Sequence, residues 1–161
     1  MTPENPARPD GRRDFDFLHG TWHSRQRRLR KRLVNCDEWD EFDATLDCRP
    51  LAGGLGNIDE LASATLRAPA VTLRLYDEAD RTWSIYWIPA GNGAIEPPVV
   101  GYFADGAGEF FCPDTHDGIP VLVRYRWSDM TGASARWAQA FSTDGGATWE
   151  TNWTAEFARI G

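Results

Sequence analysis

Several features of common protein classes are scarce or missing in this chain of 161 residues. The three cysteines, Cys36, Cys48 and Cys112, show neither a C-x-x-C pair nor zinc-finger spacing. An odd set cannot form a fully paired disulfide framework, so we expect reduced thiols, buried as small apolar side chains, and a cytoplasmic location. No apolar run approaches the roughly 20 residues of a membrane helix, and the first residues lack a secretory signal, so no membrane partner is expected.

Signature motifs of the large enzyme classes are also missing. The sequence has no serine elbow, no cysteine–histidine signature and no nucleotide-binding motif. We therefore do not expect a serine hydrolase, a kinase or a dehydrogenase. The glycine-rich segment 51–56 lacks the Lys-Ser/Thr and the helix of a phosphate-binding loop. His19 and His23 are separated by Gly20 and have no completing carboxylate or thiolate, so we expect no metal site.

Basic residues are outnumbered, with 17 against 24 acidic ones and a net charge of -7, which argues against a nucleic-acid partner. The one basic run, 25–32, is followed directly by the acidic run 37–43. We predict that the two runs pair as a hairpin in which opposite charges face each other. Sharing an apolar face requires paired residue numbers with an even sum, and the predicted register brings Arg30 near Asp40 and Arg27 near Asp43.

What recurs instead is a period-two alternation of apolar and polar residues, closed by Gly, Pro, Asp or Asn. The pattern predicts one apolar face on each strand, as in Val121, Val123, Tyr125 and Trp127. In another strand, 71–77, it assigns Val71, Leu73 and Leu75 to a common face. About ten strands are predicted, at 21–33, 39–49, 55–63, 71–77, 81–88, 99–104, 108–112, 119–128, 133–142 and 148–158.

Short antiparallel strands joined by mostly short loops indicate a sandwich or a closed up-and-down barrel. We favour the barrel, because closure leaves no unpaired strand edge. The prediction is therefore an all-β, lipocalin-like barrel of about ten strands with a short N-terminal helical turn. Residues 1–13 are rich in proline and charge and are predicted to be a flexible tail, and residues 14–161 a single barrel domain.

Gly20-Thr21-Trp22, after an apolar turn, resembles the G-x-W signature of lipocalin-like (calycin) barrels. The chain as a whole resembles a bacterial family of lipocalin-like domains of unknown function, distantly similar to nitrobindin-type barrels. The segments that carry this resemblance are FDFLHGTW (15–22), RPLAGGLGNIDE (49–60), LRLYDEADRTWSIYW (73–87) and ARWAQAFSTDGGATWETNW (135–153). Nitrobindin-type barrels hold haem through a late histidine; no histidine follows His116 here, so no cofactor is expected and haem lacks support.

The two ends of the predicted barrel differ in their loops. A plug of Phe15, Phe17 and Leu18 is expected at the end with the tight loops 50–54, 78–80, 105–107 and 129–132. The opposite end carries the longer connections, at 34–38, 64–70, 89–98, 113–118 and 143–147. Because ligands enter barrels where the long loops are, we expect the mouth at this second end, with His116, Asn92 and Glu96 around it.

The inward faces predict an aromatic cavity with a few polar groups, which suits a small hydrophobic or aromatic ligand. A filled interior is the alternative. A second hypothesis is a barrel enzyme, such as an isomerase, a cyclase or a haem-based redox protein, that acts through His116 or Glu60. A third hypothesis is a partner-binding module. A homodimer is a further hypothesis. The candidate cavity residues are Trp22, Arg28, Trp87, Tyr125, Trp137, Gln139 and Trp153.

Overall fold

The computed structural model describes residues 8–161, which form a closed antiparallel barrel of ten strands. Each strand pairs with its neighbours along the chain, and β1 pairs with β10 to complete the ring. The predicted all-β, up-and-down, lipocalin-like barrel with a short N-terminal helical turn is confirmed. The strands are β1 (Gly20–Leu29), β2 (Trp39–Leu51), β3 (Gly56–Ala62), β4 (Ala70–Asp77), β5 (Thr82–Ile88), β6 (Val99–Ala104), β7 (Ala107–His116), β8 (Ile119–Ser128), β9 (Ser134–Ser142) and β10 (Glu150–Arg159).

The charged hairpin forms between β1 and β2, and its pairs have the predicted even sum. Arg30 Nε lies 2.8 Å from Asp40 Oδ1, as predicted. The observed register differs from the predicted one by two residues of β2, because Arg27 pairs with Glu41 rather than with Asp43. The outward arginines Arg25 and Arg27 are thus neutralised along the outside of the wall, where Arg27 Nε lies 3.1 Å from Glu41 Oε1.

A short 3-10 turn, Asp16–Leu18, closes the barrel end that carries the tight loops. Phe15 and Leu18 are fully buried there among the core aromatics, as the sequence predicted. Residues 1–7 of the predicted tail lie outside the described residues, whereas residues 8–13 contact the barrel. The Gly11 N–H donates to the Tyr76 hydroxyl at 2.9 Å, and Trp83 Nε1 donates to the Gly11 carbonyl at 2.9 Å. The division into tail and single domain stays a prediction.

Two strand ends differ from the predicted ones by more than two residues. β1 ends at Leu29 because the chain turns sharply after it, with Leu33 at φ 65°. β7 runs on to His116, so the loop predicted at 113–118 is wrong and only a two-residue turn remains. The sequence pattern predicts that this strand ends at residue 112, directly before Pro113. Pairing of β7 with β6 stops at Phe111, so the missing N–H of Pro113 costs no ladder bond on that side.

The opposite end of the barrel carries most of the longer connections, at 30–38, 63–69, 89–98 and 143–149, as predicted. We call this end the mouth. Connections at the plugged end are shorter, at 52–55, 78–81, 105–106 and 129–133. Within residues 8–161, no helix has the length and apolar character needed to cross a membrane.

Candidate functional site

A cavity lies inside the barrel between the plug and the mouth. Its upper part is formed by four of the predicted residues, Trp87, Tyr125, Trp137 and Trp153, which we call the aromatic wall. The predicted Gln139 also lines this cavity, as do Trp127 and Phe157 lower down. The cavity volume is about 70 Å³, and the cavity is partly open to solvent. This volume is below the roughly 300–1,000 Å³ of sites for drug-sized ligands, so only a small molecule would fit without movement of the wall.

Edge-to-face packing fixes the rings of the aromatic wall. Trp153 stands at the centre, with its ring centroid 5.8 Å from both Trp87 and Trp137, and Tyr125 lies 5.2 Å from Trp137. Trp153 Nε1 donates to Gln26 Oε1 at 2.7 Å, which fixes its indole against β1. Because ring packing and this hydrogen bond hold the side chains in place, the aromatic wall is a rigid apolar surface rather than a set of free side chains.

The lower part of the cavity is polar. Asp59, Thr72 and Arg74 line it, and we call them the polar floor. Arg74 NH1 lies 2.6 Å from Asp59 Oδ2 and 2.9 Å from Asn57 Oδ1. The side chains of the ion pair are almost fully buried, at 4% exposure for Arg74 and 1% for Asp59. Burial raises the pKa of Asp59, and the adjacent Arg74 charge opposes that rise.

Two atoms of the polar floor lack partners. Asp59 Oδ1 and Arg74 Nε make no hydrogen bond to any described residue. One is an acceptor and the other a donor, and leaving such groups unpaired in the interior costs about 1–3 kcal/mol each. A ligand or a water molecule carrying a complementary donor and acceptor would satisfy both atoms.

The polar floor arises because β4 turns its polar face inward. The predicted apolar face of β4, formed by Val71, Leu73 and Leu75, lies on the outer side of the wall. The expectation that this apolar face is the buried one is therefore wrong. Thr72 and Arg74 point inward instead, beside Asp59 in the ladder between β3 and β4. The buried guanidinium also lies over the Phe15 ring at 5.3 Å, which compensates part of its lost hydration.

Two predicted cavity residues stand at opposite ends of the interior and do not line the cavity. Trp22 is fully buried at the plugged end, where its Nε1 donates to the Leu18 carbonyl at 2.9 Å. Arg28 faces inward near the mouth, with its guanidinium 5.1 Å from the Trp153 ring centroid and 5.4 Å from that of Phe42. Trp22 therefore supports the plug, and Arg28 covers the aromatic wall from above.

The predicted mouth residues all lie at the mouth end, without forming one cluster. His116 is half-buried at the end of β7, its ring 5.6 Å from Phe141 and its Nε2 3.4 Å from Asp117 Oδ2. Asn92 and Glu96 are exposed in the 89–98 loop. Glu60, proposed as a catalytic residue near the mouth, is exposed on the outer face because alternation along β3 sends Asp59 inward instead.

Neither thiol chemistry nor a metal is indicated inside the barrel. All three cysteines are unpaired, and burial raises the pKa of Cys48 to about 12, so its thiol stays protonated. Burial also raises the pKa of Tyr125 to about 12, which keeps its hydroxyl available as a donor. Across residues 8–161, no group of three His, Cys, Asp or Glu side chains is placed to hold a metal ion.

Fold and interior together define a lipocalin-like barrel with an aromatic cavity. The structure of the S-type phycobiliprotein lyase CPES from Guillardia theta is similar, with a TM-score of 0.55 over 92% of this chain and 91% of that chain. The two sequences are 13% identical, so the likeness shows a shared fold and carries no activity across. No protein-family model and no curated protein matches the sequence.

Proposed function

We propose that the protein binds a small, partly apolar molecule inside the barrel, with its ring system against the aromatic wall and a polar group on the floor. The observation that carries this proposal is the joint placement of four aromatic side chains above a buried Asp59–Arg74 pair in one cavity. A barrel interior kept only for stability would be filled with interlocking apolar side chains. Buried unpaired polar atoms at its base are a cost that a ligand can offset.

The aromatic wall supports a flat ring as the apolar part of the ligand. Trp87, Tyr125 and Trp137 present ring faces and edges to the same space, and aromatic pairs favour such offset or edge-to-face contacts by about 0.5–1.5 kcal/mol. Because hydrogen bonds and packing hold these rings, ordering them on binding costs little side-chain entropy. An aromatic or conjugated molecule gains more from this surface than a flexible aliphatic chain does.

The polar floor supports a ligand end that carries both a donor and an acceptor. Asp59 Oδ1 would accept from the ligand, and Arg74 Nε would donate to it. A lactam, an amide or a hydroxyl group provides that combination. The similarity to the phycobiliprotein lyase fold agrees with a barrel used around a ligand, and the ligand class rests on the side chains of this chain alone.

A cavity-filling substitution tests the proposal. Ala155 lines the cavity on β10 and is 2% exposed, so Ala155→Leu places a branched side chain in the ligand space. We expect the fluorescent probe N-phenyl-1-naphthylamine to bind the wild type and to bind Ala155→Leu about tenfold more weakly or worse.

Ala158→Leu is the matched control, because Ala158 is exposed on the outer face of the same strand. Its affinity for the probe should equal that of the wild type, and circular dichroism should show both variants folded. Equal probe affinity in the two variants, or no probe binding to the wild type, contradicts the proposal.

The catalytic alternative has weaker support. His116 faces the mouth whereas Glu60 lies outside the wall, so the two do not act on one bound molecule. A reaction at His116 alone stays a prediction. The cytoplasmic location, the absence of a cofactor and the homodimer also stay predictions.

A further inference from the structure

Basic side chains line a hollow at the mouth, next to the aromatic wall. Its lining includes Arg28, Arg30, Lys31, Arg32 and His116 together with the carboxylate of Asp117, and we call Arg28, Arg32 and His116 the rim subsite. Arg28 connects it to the cavity, because its guanidinium lies 5.1 Å from the ring centroid of Trp153 in the aromatic wall. Arg28 therefore lies between the aromatic wall and the hollow.

The two arginines of the rim subsite differ from the outward arginines of β1. Among the described residues, Arg28 and Arg32 have no carboxylate oxygen within 4.0 Å, whereas Arg25 and Arg27 each pair with Glu41. They lie over aromatic rings instead, with Arg32 at 5.2 Å from the Phe141 centroid. Ring faces hold a guanidinium in place and leave its N–H groups free to donate.

The pairing of β1 with β2 explains why Arg28 has no carboxylate partner. On the outer face, Arg25 and Arg27 stand opposite Asp43 and Glu41 and pair with them. Arg28 stands opposite Asp40 in the ladder, but the Asp40 carboxylate binds Arg30 instead, at 2.8 Å. The other neighbour of Arg28 on the inner face of β2 is the apolar Phe42.

Nearby charges do not neutralise the rim subsite. Glu150 acts on Arg32 from a distance, and its Oε1 accepts the Leu33 N–H at 2.8 Å. Asp117 is exposed and lies beside His116. Burial and the charge of Arg28 both lower the pKa of Arg32, and a nearby anion would offset the repulsion between the two guanidinium groups.

We propose that the rim subsite binds the acidic group of the ligand, so that the ligand is an aromatic anion such as an aromatic carboxylate or sulfonate. This inference rests on the proposed function, because it assigns the second end of the molecule whose ring lies in the cavity. Two guanidinium groups suit the planar oxygens of a carboxylate, which they bind through paired hydrogen bonds. The net charge of -7 repels anions at long range, so an anion preference must come from local groups.

Two probes that differ in one acidic group test this inference. 8-Anilinonaphthalene-1-sulfonate carries the same rings as N-phenyl-1-naphthylamine and adds a sulfonate. We expect the sulfonate to bind the wild type about tenfold more tightly or better, because hydrogen bonds to charged groups are strong. Sodium chloride should weaken binding of the sulfonate and leave binding of the neutral probe unchanged. This comparison needs no variant.

Arg28→Gln and Arg32→Gln should each lower the affinity for the sulfonate about tenfold and change that for the neutral probe less than about twofold. Arg27→Gln is the matched control, because Arg27 is next in sequence, faces outward and carries the same charge. It should change neither affinity by more than about twofold, with circular dichroism showing each variant folded.

The outcomes separate the two proposals. Equal binding of both probes to the wild type, or an Arg27→Gln effect as large as that of Arg28→Gln, contradicts the rim subsite and leaves the cavity standing. A wild type that binds neither probe contradicts the proposed function itself. Tight, salt-dependent sulfonate binding that both rim variants weaken supports the inference.

Discussion

At the residue scale, the Asp59–Arg74 pair is the least expected feature of the interior. Taking two charges out of water costs several kcal/mol per ion, and their attraction roughly offsets this only when the geometry is good. Here one guanidinium nitrogen contacts both Asp59 and Asn57, and the ring of Phe15 lies over the group. The pair therefore adds little net stability. It provides charge and donors at the base of an apolar cavity.

Arg74→Met should lower the free energy of unfolding by about 3–5 kcal/mol at pH 7, because it leaves the Asp59 carboxylate buried without its partner. Urea denaturation measures the loss. The double variant Asp59→Asn/Arg74→Met removes both charges and should recover most of it. If the double variant is as unstable as Arg74→Met, the loss comes from packing rather than from the uncompensated charge.

The pH dependence of the same variants has a definite sign. Without Arg74, burial holds the folded-state pKa of Asp59 above its unfolded value of about 3.9. The folded state then binds the proton more tightly, so the penalty is absent below the unfolded pKa and develops as pH rises through the folded pKa. The stability of Arg74→Met, relative to the double variant, should fall as pH rises from about 4 to 7.

Residue-level features were predictable where alternation and composition agreed. The wall residues Trp87, Trp137 and Trp153 follow from large aromatic side chains on inward positions. Arg74 was missed because burying it contradicts the apolar-inside rule, and only its pairing with Asp59 across the ladder makes it tolerable. The opposite charges on two consecutive strands were the available signal.

At the element scale, the plug turn closes one end of the barrel through Phe15. Its ring lies 5.1 Å from Trp83 and 4.9 Å from Phe103, and the side chain is 1% exposed. Phe15→Ala should lower the free energy of unfolding by about 3–5 kcal/mol, because it opens a cavity under the turn. Phe17→Ala is the control, since Phe17 is half-buried and should lose clearly less. Thermal and urea denaturation measure both losses. If Phe15→Ala and Phe17→Ala lower the free energy of unfolding equally, the role of Phe15 as the plug is contradicted.

The seam between β5 and β6 is the weakest part of the wall. Its ladder spans only Trp83–Ile85, whereas β1 and β2 pair from Gly20 to Leu29. We expect hydrogen exchange to report faster opening for residues 83–88 and 99–101 than for residues 22–28, because fewer cooperative bonds hold the seam. Protection at the seam equal to that of the charged hairpin contradicts this expectation.

Strand ends depended on partners that one segment cannot reveal. Pro113 within β7 looks like a strand terminator in the sequence, yet β6 is too short to reach it. The mouth-side turn was therefore predicted to be a loop, although Asp117 and Gly118 both have positive φ and form a tight hairpin turn. Strand existence follows from alternation, whereas strand length depends on the neighbouring strand.

At the scale of the whole molecule, the barrel separates its charges by face. Acidic and basic side chains pair along the outside, and the overall charge is -7. The interior instead holds Arg74 at the floor, paired with the buried Asp59, and Arg28 at the mouth, without a carboxylate partner. Closure was predictable because a closed barrel of about ten short strands leaves no open edge. The inward position of Arg28 was predicted as well, whereas that of Arg74 was not, because it depends on which face of β4 points inward.

Crystallography with an iodinated aromatic molecule tests the central claim, that the interior holds a ligand. Crystals soaked in 4-iodophenol should give one dominant anomalous peak inside the barrel, between the aromatic wall and the polar floor. The phenol hydroxyl should lie within hydrogen-bond distance of Asp59 or Arg74. A solid interior with iodine only on the outer surface of the barrel would contradict the account.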